Sequence, residues 1–224
     1  MIKAEYVDHL GSDLTVVNSA RVSFNKESDW APNPSIAAKD SLKESDKKLI
    51  GYLATHGHIS PFTHPQITLR ETVPIFVARQ RFKHVVGFTY NEVSRRYVDD
   101  TPEFFVPKVW RSRPEGSVKQ GSGGENDYSE HHSIGYTNHL ARSLALYEEM
   151  IRDGVAPEQA RMVLPQSMLT SYYVTGSLAA FARAYKQRID PHAQVEIQDL
   201  AKRWHDIIMP LFPSSWYHLT KETW

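Results

Sequence analysis

Residues 78–97 read ARQRFKHVVGFTYNEVSRRY, a stretch that begins with one periodicity and ends without any. Ile75, Ala78, Phe82 and Val85 recur at intervals of three, four and three, which predicts a helix with one buried stripe. Arg79 and Lys83 fall on another face. After Gly87 the composition turns to Asn91, Glu92, Ser94, Arg95 and Arg96, which predicts that the helix gives way to a ligand-binding loop able to hold an anion. On spacing alone, a solvated basic face is the commoner meaning of such a pattern.

Composition narrows the classes. A chain of 224 residues with 41% hydrophobic content can bury a sizeable core. Lys plus Arg equals Asp plus Glu at 26 each, so no global field points to nucleic acid or an anionic membrane, and any anion site must be local. No apolar run approaches the roughly 20 residues of a membrane span, and MIKAEYVDHL lacks the basic-then-apolar plan of a signal peptide; a cytoplasmic protein is expected. The absence of cysteine excludes disulfides and thiolate zinc sites, and removes the commonest strong nucleophile at neutral pH.

Taken in order, Ile2 to Asp8 alternates as a half-buried strand, and Ser12 or Asp13 is placed to cap a helix through Val16, Val17 and Ala20 to about Phe24. The stretch to Ser41, with Trp30-Ala31-Pro32-Asn33-Pro34, reads as a loop; a second helix starts after Ser45 and carries Leu49, Ile50 and Leu53. His56, His58 and His64 suggest metal ligands, to be completed by Asp99 or Asp100. No metal is expected, because an HxH pair shares one side of a strand but not of a helix, and no companion cluster is evident. Gln66 to Val73 alternates as a strand, and Pro74 suits the first turn of the following helix. The region after Tyr97, with Pro102, Pro107, Pro114 and Gly121-Ser122-Gly123-Gly124, reads as a mobile surface excursion, with a substrate lid as its rival.

The second half reads mostly as helix. Leu140, Leu144, Tyr147 and Ile151 make a core stripe on a helix from about Tyr128 to Arg152, with Gly154 at its C-cap. Pro157 opens a helix containing Arg161, and Leu169 to Thr175 suits a strand. Leu178, Phe181 and Tyr185 then form an apolar stripe whose next position, three residues on, is Arg188. A guanidinium there needs a partner, either an internal carboxylate or a ligand. A last helix runs from Ala193 to Ile208, and a tail with Trp216, Tyr217 and Trp224 packs either on its own domain or on a neighbouring subunit.

The signature stretch resembles that of the flavin-dependent thymidylate synthases, where an Arg-His-Arg triplet is followed seven or eight residues later by Ser in a run ending Ser-x-Arg-Tyr. Here Lys83-His84-Val85 is followed after eight residues by Ser94-Arg95-Arg96-Tyr97. The resemblance extends to Ser19-Ala20-Arg21-Val22-Ser23-Phe24, His56-Gly57-His58-Ile59-Ser60-Pro61-Phe62 and Pro74-Ile75-Phe76-Val77-Ala78-Arg79-Gln80. Downstream it includes Ala160-Arg161-Met162-Val163-Leu164-Pro165 and Arg188-Ile189-Asp190-Pro191-His192-Ala193-Gln194, so the blocks run in family order from about residue 14 to 198.

That resemblance implies an α/β fold of α+β type, one domain over 1–224, with a central mostly antiparallel sheet packed by helices and a homotetrameric assembly whose sites are shared between subunits. It implies reductive methylation of deoxyuridine monophosphate (dUMP) to thymidine monophosphate (dTMP). Methylenetetrahydrofolate would supply the carbon, and flavin adenine dinucleotide (FAD) would relay hydride from NADPH. A flavin route needs no cysteine thiolate, which suits this composition. For dUMP the matching positions are Gln80, Lys83, Glu92, Val93, Ser94, Arg95, Arg96, Arg161 and Arg188, with Arg96 and Arg161 as phosphate clamp and Arg188 as the catalytic cation beside the uracil ring. For FAD they are His58, Ser60, Lys83, His84, Val85, Glu92 and Arg183. Ser94 is not read as a nucleophile, since no base-orienting pair accompanies it.

Two departures stand out: Val85 replaces a triplet arginine, and Ala179 stands where an arginine commonly meets the flavin. They keep two alternatives open, a diverged pyrimidine-nucleotide one-carbon transferase, and a nucleotide-binding or structural homologue with weakened flavin binding.

Overall fold

Four antiparallel strands in the order β1-β2-β4-β3 form the sheet, in a computed structural model that describes residues 1–32, 41–98, 100–116 and 120–221. The strands are β1 (Lys3–Leu10), β2 (Gln66–Pro74), β3 (Phe88–Glu92) and β4 (Leu169–Ser177). The helices are α1 (Asp13–Arg21), α2 (Glu44–Thr55), α3 (Ile75–Arg81), α4 (Ser129–Arg152), α5 (Pro157–Ala160), α6 (Leu178–Arg188), α7 (Val195–Ile208) and α8 (Pro213–Thr220).

Period-two alternation decides which face of the sheet is covered. Ile67, Leu69, Glu71 and Val73 of β2, with Tyr172 and Val174 of β4, are buried beneath the helices. On the opposite face Thr68 meets Thr175 at 2.9 Å and Thr72 meets Ser171 at 2.7 Å, a polar surface with Arg70 and Tyr173 exposed beside it. The core under the covered face joins Val77, Leu178, Phe181, Leu200, Trp204, Ile208, Phe212 and Trp216. Among the described residues no helix is long and apolar enough to cross a membrane.

Two strand-to-helix corners place the site. β2 turns into α3 at Pro74, and β4 turns into α6 at Ser177, whose hydroxyl accepts from Ala180 N at 3.2 Å as an N-cap. The α3–β3 connection returns through Gly87, at φ 79°, where a Cβ would lie 2.9 Å from that of Ala180. Gly176, opposite Phe88, admits that ring where a Cβ would sit 2.3 Å from its edge.

Several expectations are corrected by this geometry. The signature helix ends at Arg81, and Val85 lies beyond it, 66% exposed, so the buried stripe is Val77, Ala78 and Arg81 with Phe82 half-buried. Phe88 to Glu92 is a strand rather than loop, because Phe88 and Tyr90 alternate into the core while Thr89 and Asn91 face outward. Pro74 is the N-cap of α3, one position earlier than its first turn. Ser12 is the N-cap of α1; Asp13 instead accepts from Ser214 N at 2.8 Å and Ser215 N at 2.9 Å, so its carboxylate caps the N-terminal turn of α8. Burial raises its pKa.

The described residues after Tyr97 are tied to the rest of the chain at several points. Phe105 N donates to Ser167 O at 2.8 Å, Tyr136 OH donates to Phe105 O at 2.8 Å, and Arg111 pairs with Glu196 of α7 at 2.7 Å. Of the tail, Trp216 is fully buried in its own core and Tyr217 is exposed. α4 buries only Ser129, Leu140, Ser143 and Tyr147, so its stripe is narrower than predicted. Asn33, Pro34, Asp99 and Trp224 lie outside the described residues.

Candidate active site

The predicted residues form three groups on one chain. The first sits where the C-terminal ends of α3 and α6 meet. Arg188 Nε donates to His84 Nε2 at 2.8 Å, and Arg188 Nη2 donates to Gln80 O at 3.2 Å. Gln80 is itself held, its Nε2 donating to Gln194 Oε1 at 2.6 Å. Arg183 reaches back to the Val86 carbonyl, while Lys83 and Val85 are exposed at the rim.

The electrostatics of this group follow from burial and crowding of cations. His84 is buried, and its pKa falls from 6.5 to about 4, through desolvation first and then through Arg188, Arg81 and Arg183. It is therefore neutral at neutral pH. Since Nε2 accepts, the ring proton is on Nδ1. Burial and Arg81 also lower the pKa of Arg188, from a value so high that the guanidinium keeps its charge.

The second group lines a cleft of about 820 Å³ at the other end of β3. Glu92, Val93, Ser94, Arg95 and Arg161 lie here with Arg70 and Lys3, two cations that the sequence reading did not include. Glu92 accepts from Thr170 Oγ1 at 2.6 Å, and Arg95 pairs with Asp100 at 2.9 Å. Arg96 is the exception. It is exposed, stacks over Tyr97 at 5.1 Å and does not line the cleft, so of the two arginines expected as phosphate clamp only Arg161 lines it.

His58 and Ser60 form the third group, in the turn after α2. His58 stacks on Tyr52 at 5.9 Å, and among the described residues no hydrogen bond, ion pair or ring contact links it or Ser60 to the other groups. No group of three His, Cys, Asp or Glu side chains among the described residues is arranged to hold a metal.

Sequence reading missed the most buried polar cluster. Arg81 and Glu71, both 0% exposed, pair at 3.1 Å. Glu71 also accepts from Tyr172 OH at 2.6 Å and Trp204 Nε1 at 2.8 Å, and Arg81 Nη1 donates to Tyr90 OH at 2.6 Å. The signal was present: Arg81 stands four after Val77 and three after Ala78, the same stripe logic that singled out Arg188, and Glu71 alternates with Leu69 and Val73.

The donor set suits an anionic nucleotide and a dinucleotide cofactor. Among the described residues Lys83, Arg161, Arg183 and Arg188 form no ion pair with a carboxylate, so their charge is unspent. Lys83 and Arg183 are exposed beside His84, where an anion from solvent could reach them.

The family model described as thymidylate synthase complementing protein matches residues 5–214. The flavin-dependent thymidylate synthase of Thermotoga neapolitana is 38% identical over 198 residues, 88% of this chain and 81% of that protein. The enzyme of the same name from Thermus thermophilus is 32% identical over 211 residues, 94% and 72% of the two chains. A crystal structure of a UMP/dUMP methylase, PolB from Streptomyces cacaoi, bound with 5-Br dUMP, superposes with a TM-score of 0.83 at 29% identity, covering 98% of this chain and 95% of that one. The same methylase bound with 5-Br UMP gives 0.81 at 27% identity, covering 98% and 94%.

Proposed function

This chain belongs to the thymidylate synthase complementing protein family, and on that premise we propose that it methylates dUMP to dTMP with methylenetetrahydrofolate as carbon donor and FAD passing hydride from NADPH. The observation that carries the reading is the seating of Arg188, a half-buried guanidinium held by a neutral imidazole and a backbone carbonyl, with no carboxylate to neutralise it.

Such a cation stabilises negative charge on a bound uracil ring. It is preorganised, and its remaining N–H groups stay available to the pyrimidine. Arg161, Arg95 and the backbone around Ser94 would hold the phosphate, with Arg96 added from the rim. Lys83 and Arg183 would hold the FAD diphosphate beside His84, with His58, Ser60, Val85 and Glu92 in the surrounding shell. Bound flavin supplies the hydride. The protein's own work is to fix the nucleotide, keep His84 neutral and exclude water around Arg188.

The three groups lie apart on one chain, which supports a homotetramer whose sites are completed by neighbouring subunits. The exposed Tyr128, Ile134 and Leu146 of α4 and its N-cap are apolar surface of the kind such an assembly covers. The cytoplasm is the setting in which we place it.

Incubation with dUMP, NADPH and labelled methylenetetrahydrofolate, with product analysis and a flavin absorption spectrum, tests the proposal. Label in dTMP and a flavin band are expected; a colourless protein that leaves dUMP unchanged overturns it. The structures of the Streptomyces methylase bound with 5-Br dUMP and 5-Br UMP favour a second reading, in which uridine monophosphate is also accepted. Parallel reactions with the two nucleotides separate the readings.

A further inference from the structure

The buried cluster ends on the backbone of the signature triplet. Tyr90 OH lies 2.6 Å from Arg81 Nη1, 2.8 Å from His84 O and 3.2 Å from Arg81 O. A guanidinium only donates, so it claims a lone pair of the hydroxyl, and the single hydroxyl proton goes to the nearer carbonyl, that of His84. Arg81 is fixed in turn. Glu71 takes its Nε and Nη2, and its guanidinium carbon lies over the rings of Phe88 at 4.3 Å and Trp204 at 4.6 Å. Every member up to the hydroxyl is thus held in one orientation.

We propose that Tyr90 is a positioning residue for the His84–Arg188 pair: its hydroxyl, aimed by the Arg81–Glu71 ion pair, pins the His84 carbonyl and thereby the imidazole that seats the Arg188 guanidinium. The inference rests on the reading of Arg188 as the cation that meets the pyrimidine. It adds a reason for a fully buried ion pair beneath the buried His84 of the triplet. Hydrophobic residues of similar volume would fill the space at least as stably, but they would not orient a hydroxyl toward His84. The chain of contacts is short and continuous: Glu71, Arg81, Tyr90, His84, Arg188.

Two phenol-to-phenyl variants separate positioning from packing. Tyr90→Phe removes the hydroxyl that meets the His84 carbonyl, and Tyr172→Phe removes the one that donates to Glu71 at 2.6 Å and makes no hydrogen bond to His84. In ¹⁵N-resolved titrations of the ligand-free protein, only Tyr90→Phe is expected to raise the His84 midpoint from about 4 toward 6.5. The same variant should lower kcat for dUMP methylation by roughly ten- to a hundredfold with KM little changed, as a small misplacement of a catalytic group does. Both variants should lower the melting temperature. Glu71→Gln, which keeps the hydroxyl but loosens Arg81, should likewise lower kcat with KM little changed and serves if Tyr90→Phe does not fold; its His84 midpoint should not rise, because Arg81 is left uncompensated beside the imidazole. An unchanged His84 midpoint in Tyr90→Phe, or an equal shift in Tyr172→Phe, overturns the proposal. The titration is independent of turnover, so a shift confined to Tyr90→Phe in a protein that does not methylate dUMP would sustain the positioning and overturn the proposed reaction instead.

Discussion

Arg188 Nε donates to His84 Nε2 across 2.8 Å, so the one cation on the apolar stripe of α6 is seated against a neutral base and not against a carboxylate. Of the two partners open to it from the sequence, an internal Asp or Glu is not the one among the described residues, where no carboxylate pairs with it. The imidazole can play this part only while unprotonated, a state that burial and three nearby arginines enforce.

The first prediction follows from that pairing. Arg188→Ala leaves no buried counter-charge behind, so it should cost only about 1.5 to 3 kcal/mol of stability, the scale of a hydrogen bond made by a charged group, and less than a broken buried ion pair. Turnover should fall by on the order of a hundredfold or more, and Arg188→Lys should recover part of it, since an ammonium lacks the planar fork. Flavin content should stay near normal. Thermal stability, bound flavin and turnover measured on the same preparations check all three.

Val85 offers a gain-of-function test. Because it lies past the end of α3 and is 66% exposed, Val85→Arg meets no packing barrier. If the triplet faces the FAD diphosphate, flavin affinity should rise by roughly tenfold or more, the equivalent of one charge-assisted hydrogen bond at 1.5 to 3 kcal/mol. Titration of apoprotein with FAD reads this directly, and unchanged affinity would place the rim elsewhere.

The buried ion pair predicts a large stability effect with an internal control. Glu71→Ala strands Arg81 at 0% exposure and should cost about 3 to 5 kcal/mol. Arg81→Met combined with Glu71→Leu removes both charges and should cost far less than the single change. Urea unfolding of the three proteins gives the comparison; equal losses in single and double variants would mean the pair is not the source.

The depressed His84 pKa fixes the sign of a pH effect. Between about 4 and 6.5 the unfolded chain binds a proton at this position and the folded one does not. His84 therefore favours folding fully above 6.5, and its contribution declines as pH falls toward 4, by on the order of 1–2 kcal/mol after screening. Asp13 has the opposite sign, its folded pKa being raised, so its share is lost as pH rises. Asp13 is common to wild type and His84→Gln. Urea midpoints measured from pH 7 to 4.5 should therefore show a steeper acid decline in the wild type alone.

Local pattern carried much of the architecture. The alternation of Gln66 to Val73 and the stripe of Leu178, Phe181 and Tyr185 reflect one-dimensional periods of 2.0 and 3.6, and the Ser12 cap and the Gly154 stop after α4 reflect the local chemistry of helix ends. The family blocks were equally legible, because they are strings. What stands opposite each face was not. Glu71 meets Trp204, 133 positions away, and Tyr172, 101 away, so the solvation of Arg81 is settled by partners that no window contains. The same holds for β3, whose inward Phe88 and Tyr90 have meaning only against β4 and Arg81, and for Val85, whose exposure depends on α3 ending at Arg81. A period states which side of an element a residue occupies; only the packed fold decides whether that side faces water, a counter-charge or a ligand, because burial is a property of the neighbours.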